Sequence, residues 1–204
     1  AMRPEQLDED YIASSKYLHV SGITLAVSPE AAATAIRAME LAKKHGVKVC
    51  FDPNLRLKMW SIEQAREMIN SIWHLVDIAL PGRDEGELLL GLSEPDDIAA
   101  EIMSRGVGTV IVKIGPEGAI GYEPGVRVMS PGFRVGQVVD AFGAGDSFAA
   151  GVIAAGLKGW NLENTLRYAN AIGAMAVSAP GNIEAIPTFD QVMKYMAGRS
   201  SATR

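Results

Sequence analysis

Val138-Val139-Asp140-Ala141-Phe142-Gly143-Ala144-Gly145-Asp146-Ser147-Phe148-Ala149-Ala150-Gly151 places three small residues just before a helix whose first turn carries an aspartate. Glycines let the main chain approach an anion closely, and a helix N-terminus adds unpaired N–H donors and a favourable dipole. Several backbone N–H groups converging there form an oxyanion-hole device suited to phosphate transfer. The plain alternative is an ordinary N-cap, because Asp is common at helix starts and Gly-Ala-Gly also serves as a tight turn. Two other glycine-loop chemistries are excluded. The dinucleotide pattern G-x-G-x-x-G requires glycine where Phe148 stands, and G-x-x-x-x-G-K-[ST] occurs nowhere in the chain.

On the N-terminal side of this stretch the chain alternates between strand and helix patterns. After a polar helical opening, residues 17–21 read as a short buried strand closed by Gly22. Pro29 starts a helix whose apolar face is Ala32, Ile36, Met39 and Ala42 or Lys43, with Gly46 placed as its C-terminal cap. Strands are expected at 47–52, 76–80 and 109–114, and helices at 61–74, 84–90 and 96–105. Such alternation implies a mostly parallel sheet covered by helices on both faces. Gly115-Pro116-Glu117-Gly118 breaks the rhythm, and 119–123 and 126–129 read as a short antiparallel hairpin edge. The last third is mostly helical, at 145–158, 162–178 and 189–197. Residues 1–198 are expected to form one domain and 199–204 a frayed tail.

The 204 residues are 48% hydrophobic and 21% charged, enough to bury a core and too apolar for a disordered chain. The net charge of −5, with no basic stripe, argues against nucleic acid as a partner. Cys50 is the only cysteine, which excludes an internal disulfide framework and fits a reducing, cytoplasmic setting. No uninterrupted apolar run reaches about 18 residues, so no membrane partner is expected. His19, His45 and His74 lack ligand spacing, and Trp60, Trp73 and Trp160 read as packing residues.

Asp140-Ala-Phe-Gly-Ala-Gly-Asp146 followed by Ser-Phe-Ala-Ala-Gly resembles the second signature of the ribokinase-like (PfkB) carbohydrate kinases, D-T-x-G-A-G-D followed by small residues. Ala141 and Phe142 depart from the usual hydroxyl-bearing pair. The resemblance implies that Asp146 is the general base toward the sugar hydroxyl, and that the backbone N–H groups of Gly143, Ala144 and Gly145 hold the charge developing on the γ-phosphate of ATP. Ile114-Gly115-Pro116-Glu117-Gly118-Ala119 resembles the family's G-x-x-G nucleotide loop, which implies that Lys113, Gly115, Pro116, Glu117 and Gly118 skirt the ATP; by itself it is a plain turn. Asn170 matches an asparagine that the family places near adenine, the alternative being a helix-surface residue. Leu80-Pro81-Gly82-Arg83-Asp84-Glu85 falls where the family writes N-x-x-E, so Glu85 would act on Mg2+ through water although Gly82 replaces the asparagine. The family's monovalent cation site would here use Asp140, Phe142, Ala176, Ala179 and Gly181, with Ala185 where some members supply a serine, and would take K+.

Phe51-Asp52-Pro53-Asn54-Leu55-Arg56, then Lys58-Met59-Trp60, lies at a strand end, where open parallel sheets place ligands. An arginine there is suited to a carboxylate, because its planar fork makes two charge-assisted hydrogen bonds. The run D-x-N-x-R-x-x-x-W resembles 2-keto-3-deoxygluconate kinases, which implies a sugar acid as acceptor, bound by Arg56 and Asn54 and phosphorylated at its 6-position. A fructokinase- or ribokinase-type enzyme for a neutral sugar is the alternative, and a nucleotide-binding module without catalysis is another. The resemblance begins about a third of the way into the family pattern. The expected fold is therefore ribokinase-like α/β without the N-terminal strands and lid, whose exposed sheet edge favours self-association into a homo-oligomer.

Overall fold

Ser28 and Pro29 show how the local sequence starts an element. The Ser28 hydroxyl accepts from the Ala31 amide at 3.1 Å, and Pro29 sits where a missing N–H costs nothing. The computed structural model describes residues 2–140, 142–181 and 186–200. Its helices are α1 (Glu9–Ala13), α2 (Gly22–Val27), α3 (Pro29–Lys44), α4 (Ile62–Ile72), α5 (Arg83–Leu90), α6 (Pro95–Ser104), α7 (Ala144–Leu157), α8 (Leu162–Ala176) and α9 (Phe189–Ser200). The strands β1 (Tyr17–Ser21), β2 (Lys48–Asp52), β3 (Ile78–Ala79), β4 (Thr109–Lys113), β5 (Gly118–Glu123) and β6 (Val126–Pro131) form one sheet in that order.

Neighbours from β1 to β4 are parallel. β5 and β6 are joined by the two-residue turn Pro124-Gly125, which only an antiparallel pair permits. In β2 four successive residues, Val49 to Asp52, are buried, and in β4 Val110, Ile111 and Val112 are too. Because side chains alternate between faces, both faces of these strands are covered.

The chain divides into two compact units, each described by itself. The first comprises Ala1–Lys113 and Tyr122–Arg127. Its core is built on Phe51, Ile69, Ile72, Trp73, Leu80, Ile98 and Ile111, with the rings of Phe51 and Trp73 edge to face at 5.6 Å. α4 begins with a reciprocal cap: Ser61 Oγ accepts from Gln64 N at 3.2 Å and Gln64 Oε1 from Ser61 N at 2.9 Å. Tyr122 OH donates to Asp96 of α6, and Arg127 Nε donates to the same oxygen at 2.9 Å.

The second unit comprises Ile114–Gly121 and Val128–Arg204. α7 packs closely on α8 at Gly151, where an added Cβ would meet Ala169 Cα at 2.9 Å. Ala155, Tyr168, Ala171, Ile172, Val192 and Met196 form its core. Trp160 meets Tyr168 edge to face at 5.3 Å, and Lys158 Nζ lies 4.1 Å from the Phe189 ring centre.

Four sequence expectations change. β1 is not a buried strand: only Val20 is buried, since β1 pairs with β2 alone. The expected strand 76–80 shrinks to Ile78–Ala79, because Val76 closes a 3-10 turn on Trp73 and Pro81 has no N–H to extend the ladder. Gly22 does not end β1 but opens α2, with Ser21 Oγ accepting from Ile23 N at 3.4 Å. α9 continues to Ser200, into the expected tail, while residues 201–204 lie outside the described residues.

Candidate active site

In the second unit, Gly143 sits in the left-handed region at φ 74° and supplies no side-chain cap to the helix that follows. Ala144, Gly145 and Asp146 are the first three residues of α7, so their amides have no partner within the helix, and Asp146 is exposed. A left-handed cap without a side chain leaves the first-turn donors and the positive end of the helix dipole available to an anion. Just upstream, Asp140 Oδ1 accepts from Phe142 N at 2.9 Å. The Val177 carbonyl, at the end of α8, accepts from Val139 N at 2.8 Å and Asp140 N at 3.4 Å. This pairing brings Asp140 and Phe142 to the segment that carries Ala176, Ala179 and Gly181. Ala141 and Ala185 lie outside the described residues.

The Gly115–Gly118 loop is shaped by contact with the end of β6 and the residue after it. Gly118, at φ 113°, leaves no room for a side chain: an added Cβ would stand 2.1 Å from Ser130 O. Gly132 N donates to Glu117 O at 2.9 Å. Asn170 is buried, not on a helix surface, and its Nδ2 donates to Ser130 O at 3.0 Å and to Ser130 Oγ at 3.1 Å. The segment Ser130–Gly132 thus joins Asn170 to Gly115, Pro116, Glu117 and Gly118. No sequence signal marks Ser130 for this.

In the first unit, Asn54, Arg56, Glu85 and Lys113 gather at the C-terminal ends of β2, β3 and β4. Lys113 Nζ donates to both oxygens of Asp52, at 2.9 and 2.8 Å. Glu85 accepts from Leu55 N and from Gly82 N, each at 2.7 Å. Burial raises the Glu85 carboxyl above its ordinary range, with Lys113 acting against the rise. Arg56 is exposed, donates to Leu55 O at 3.2 Å, and has no carboxylate partner among the described residues. Asp52 is the member of this cluster to which the sequence assigns no role, although it opens the D-x-N-x-R-x-x-x-W run and ends a buried strand.

Other features carry less chemistry. Cys50 is buried, and desolvation pushes its thiol up to about 12, so it is no nucleophile. An open cavity of about 410 Å³ is lined by Lys48, Asp77, Thr109 and Glu123, among others, at the opposite strand ends from Asp52. Among the described residues no three His, Cys, Asp or Glu side chains form a metal cluster, and no helix is long and apolar enough to cross a membrane.

Residues 1–189 match the family model described as pfkB family carbohydrate kinase. A 2-dehydro-3-deoxygluconokinase of Bacillus subtilis (strain 168) is 36% identical over 192 residues, covering 93% of this chain and 59% of the relative. A probable fructokinase-4 of Arabidopsis thaliana is 34% identical over 206 residues, covering 97% of this chain and 63% of the relative. A putative ribokinase II from E. coli, solved in complex with ATP and Mg2+, superposes with a TM-score of 0.88 at 30% identity, over 96% of this chain and 63% of that one. The chain therefore spans about three fifths of the length of the relatives it matches. Matched over nearly its whole length, the chain belongs to the pfkB family of carbohydrate kinases.

Proposed function

We propose that this chain is the phosphoryl-transfer part of an ATP-dependent sugar kinase, with Asp146 as the general base. Asp146 takes the proton from the acceptor hydroxyl as that oxygen attacks the γ-phosphate, and the amides of Gly143, Ala144 and Gly145 receive the charge that develops. The observation that carries this reading is the start of α7, where left-handed Gly143 gives the first-turn amides no side-chain cap and Asp146 is exposed beside them. Phosphoryl transfer asks a protein chiefly for positioning and charge stabilisation, which such a helix start supplies. Gly115, Pro116, Glu117, Gly118 and Asn170 form the nucleotide side.

Mg2+ enters with the triphosphate, since Mg2+ keeps several waters and is held by few carboxylates plus phosphates. Glu85 fits a water-mediated part in this: each of its oxygens accepts one N–H and retains a further lone pair. A monovalent cation is assigned to Asp140 and the backbone oxygens of Phe142, Ala176, Ala179 and Gly181. A carboxylate beside the negative end of α8 is the kind of place a cation favours. Turnover in potassium chloride is expected to exceed turnover in tetramethylammonium chloride at equal ionic strength.

For the acceptor we propose 2-keto-3-deoxygluconate, phosphorylated at its 6-position, with Arg56 binding the acid group and Asn54 beside it. The support is an exposed guanidinium without an acidic partner among the described residues, together with the 36% identity to a 2-dehydro-3-deoxygluconokinase. Likeness to a fructokinase favours a neutral sugar as the second reading. A coupled assay over this sugar acid, fructose and ribose separates them. Turnover of the acid alone, with its KM raised about 10- to 100-fold by Arg56→Ala, is the expected result, in line with loss of a charge-assisted pair. Turnover of fructose with no effect of Arg56→Ala would favour the neutral-sugar enzyme, and ATP binding with no acceptor phosphorylated a non-catalytic module.

A further inference from the structure

Asp52 is 1% exposed, so its carboxylate is sustained only by what surrounds it. The partner is Lys113 Nζ, within 2.9 Å of both carboxylate oxygens. Asp52 ends β2 and Lys113 ends β4, and β3 lies between them in the sheet. The pair therefore reaches across a strand, above the point where Lys113 N donates to Pro81 O at 2.8 Å.

What hangs from this pair is the turn after β2. Asp52 Oδ1 accepts from Asn54 N at 3.1 Å, and Glu85 Oε1 accepts from the next amide, Leu55 N. The other oxygen of Glu85 holds Gly82 N, so one side chain at the start of α5 joins the chain after β2 to the chain after β3. Asn54 itself stands at φ 39°, in the left-handed region that asparagine, more than other non-glycine residues, adopts in turns. On the far side of the turn Gly22 leaves no slack: an added Cβ there would lie 1.9 Å from Pro53 O. Arg56 follows directly, and its guanidinium is held only by the Leu55 carbonyl among the described residues.

We propose that Lys113 is a positioning residue for the acceptor side: by fixing Asp52 it holds Asn54 in the turn that aims Arg56, and it does not itself bind the nucleotide. The inference rests on the reading of Asn54 and Arg56 as the acceptor site. Lys113 has both a charge and a location that fit a nucleotide ligand, but its ammonium is engaged by a buried carboxylate that no other described cation neutralises. Drawing it away toward a phosphate would leave Asp52 buried and unpaired, a state that proteins avoid.

The test is amide hydrogen exchange and steady-state kinetics on Lys113→Met and Lys113→Arg in the whole chain. In Lys113→Met the amide of Asn54, held by Asp52, is expected to exchange about tenfold faster or more, while Val49 N, held by Asp77 Oδ2 at 2.7 Å, is unchanged. The KM for 2-keto-3-deoxygluconate is expected to rise about tenfold or more with the KM for ATP within about twofold, and Lys113→Arg to recover most of the loss. Should Lys113→Met fail to fold, the double variant Asp52→Asn with Lys113→Met removes both charges of the pair and is read the same way. Unchanged exchange at Asn54, or an ATP KM that rises as much as the acceptor KM, overturns the proposal. If the unaltered chain phosphorylates no acceptor, the kinase reading fails and the exchange result alone decides whether Lys113 holds the turn.

Discussion

Asp146→Asn is expected to lower kcat by about 100- to 10,000-fold, the range typical of one positioned acid-base group, and to leave the KM for ATP nearly unchanged. Asparagine keeps the size of the side chain and removes the ability to accept a proton. Asp146 is exposed in the first turn of α7, where its charge meets the helix dipole, an effect worth about 0.3–1 kcal/mol, and asparagine keeps its shape, so the variant is expected to stay folded. A coupled assay beside a thermal melt checks both halves. A kcat within about threefold of the parent would place the base elsewhere.

Gly118→Ala is the second large effect, and it falls on stability first. At φ 113° the backbone is in a region that L side chains rarely adopt, a strain of about 1–3 kcal/mol. The new methyl would also meet Ser130 O at 2.1 Å, Gly132 N at 2.5 Å and Pro131 C at 2.8 Å, all of them backbone, and overpacking of this kind costs about 1–3 kcal/mol more. Together these are a large fraction of the 5–15 kcal/mol that typically holds a domain. Gly115→Ala is the control. Gly115 is at φ 61° with nothing within 4 Å of an added Cβ, so only the strain of about 1–2 kcal/mol applies. Chemical denaturation of the two variants should rank Gly118→Ala as the clearly less stable, and a reversed order would mean that the segment Ser130–Gly132 yields.

Local signals carried most of the fold. Ser28-Pro29 and the reciprocal cap of Ser61 and Gln64 mark their helix starts within four residues of sequence, so α3 and α4 were legible. The runs in β2 and β4 were legible because strands covered on both faces read as unbroken apolar stretches. β1 was not, because its exposure depends on which neighbour is present and not on its own residues. α2 has six residues and opens on a glycine that packs against Pro53, a partner 31 positions away, and short elements of that kind have no period to read.

The candidate site divides in the same way. The motif residues Gly143 to Asp146 and Gly115 to Gly118 stand out in sequence because glycines and a helix-start aspartate are local features. The contacts that organise the site are not local. Lys113 and Asp52 are 61 residues apart, and Asn170 and Ser130 are 40 apart. Nothing in the sequence near Asn170 separates a buried donor from a helix-surface residue. Likewise, the isolated motif around Lys113 cannot tell that its ammonium is committed to a carboxylate at the end of another strand.

The hairpin tip that grips Asp96 has a consequence for how the chain can be cut. Tyr122 and Arg127 belong to the first unit although residues 114–121 before them and 128–204 after them belong to the second. A fragment ending at Lys113 would contain every strand from β1 to β4 and yet lack the phenol and the guanidinium that hold the start of α6. A fragment ending at Pro131 would keep both. The same holds on the ribosome, where N-terminal units fold first as the chain emerges: the first unit is not closed when β4 has been made, only after Arg127 has followed it.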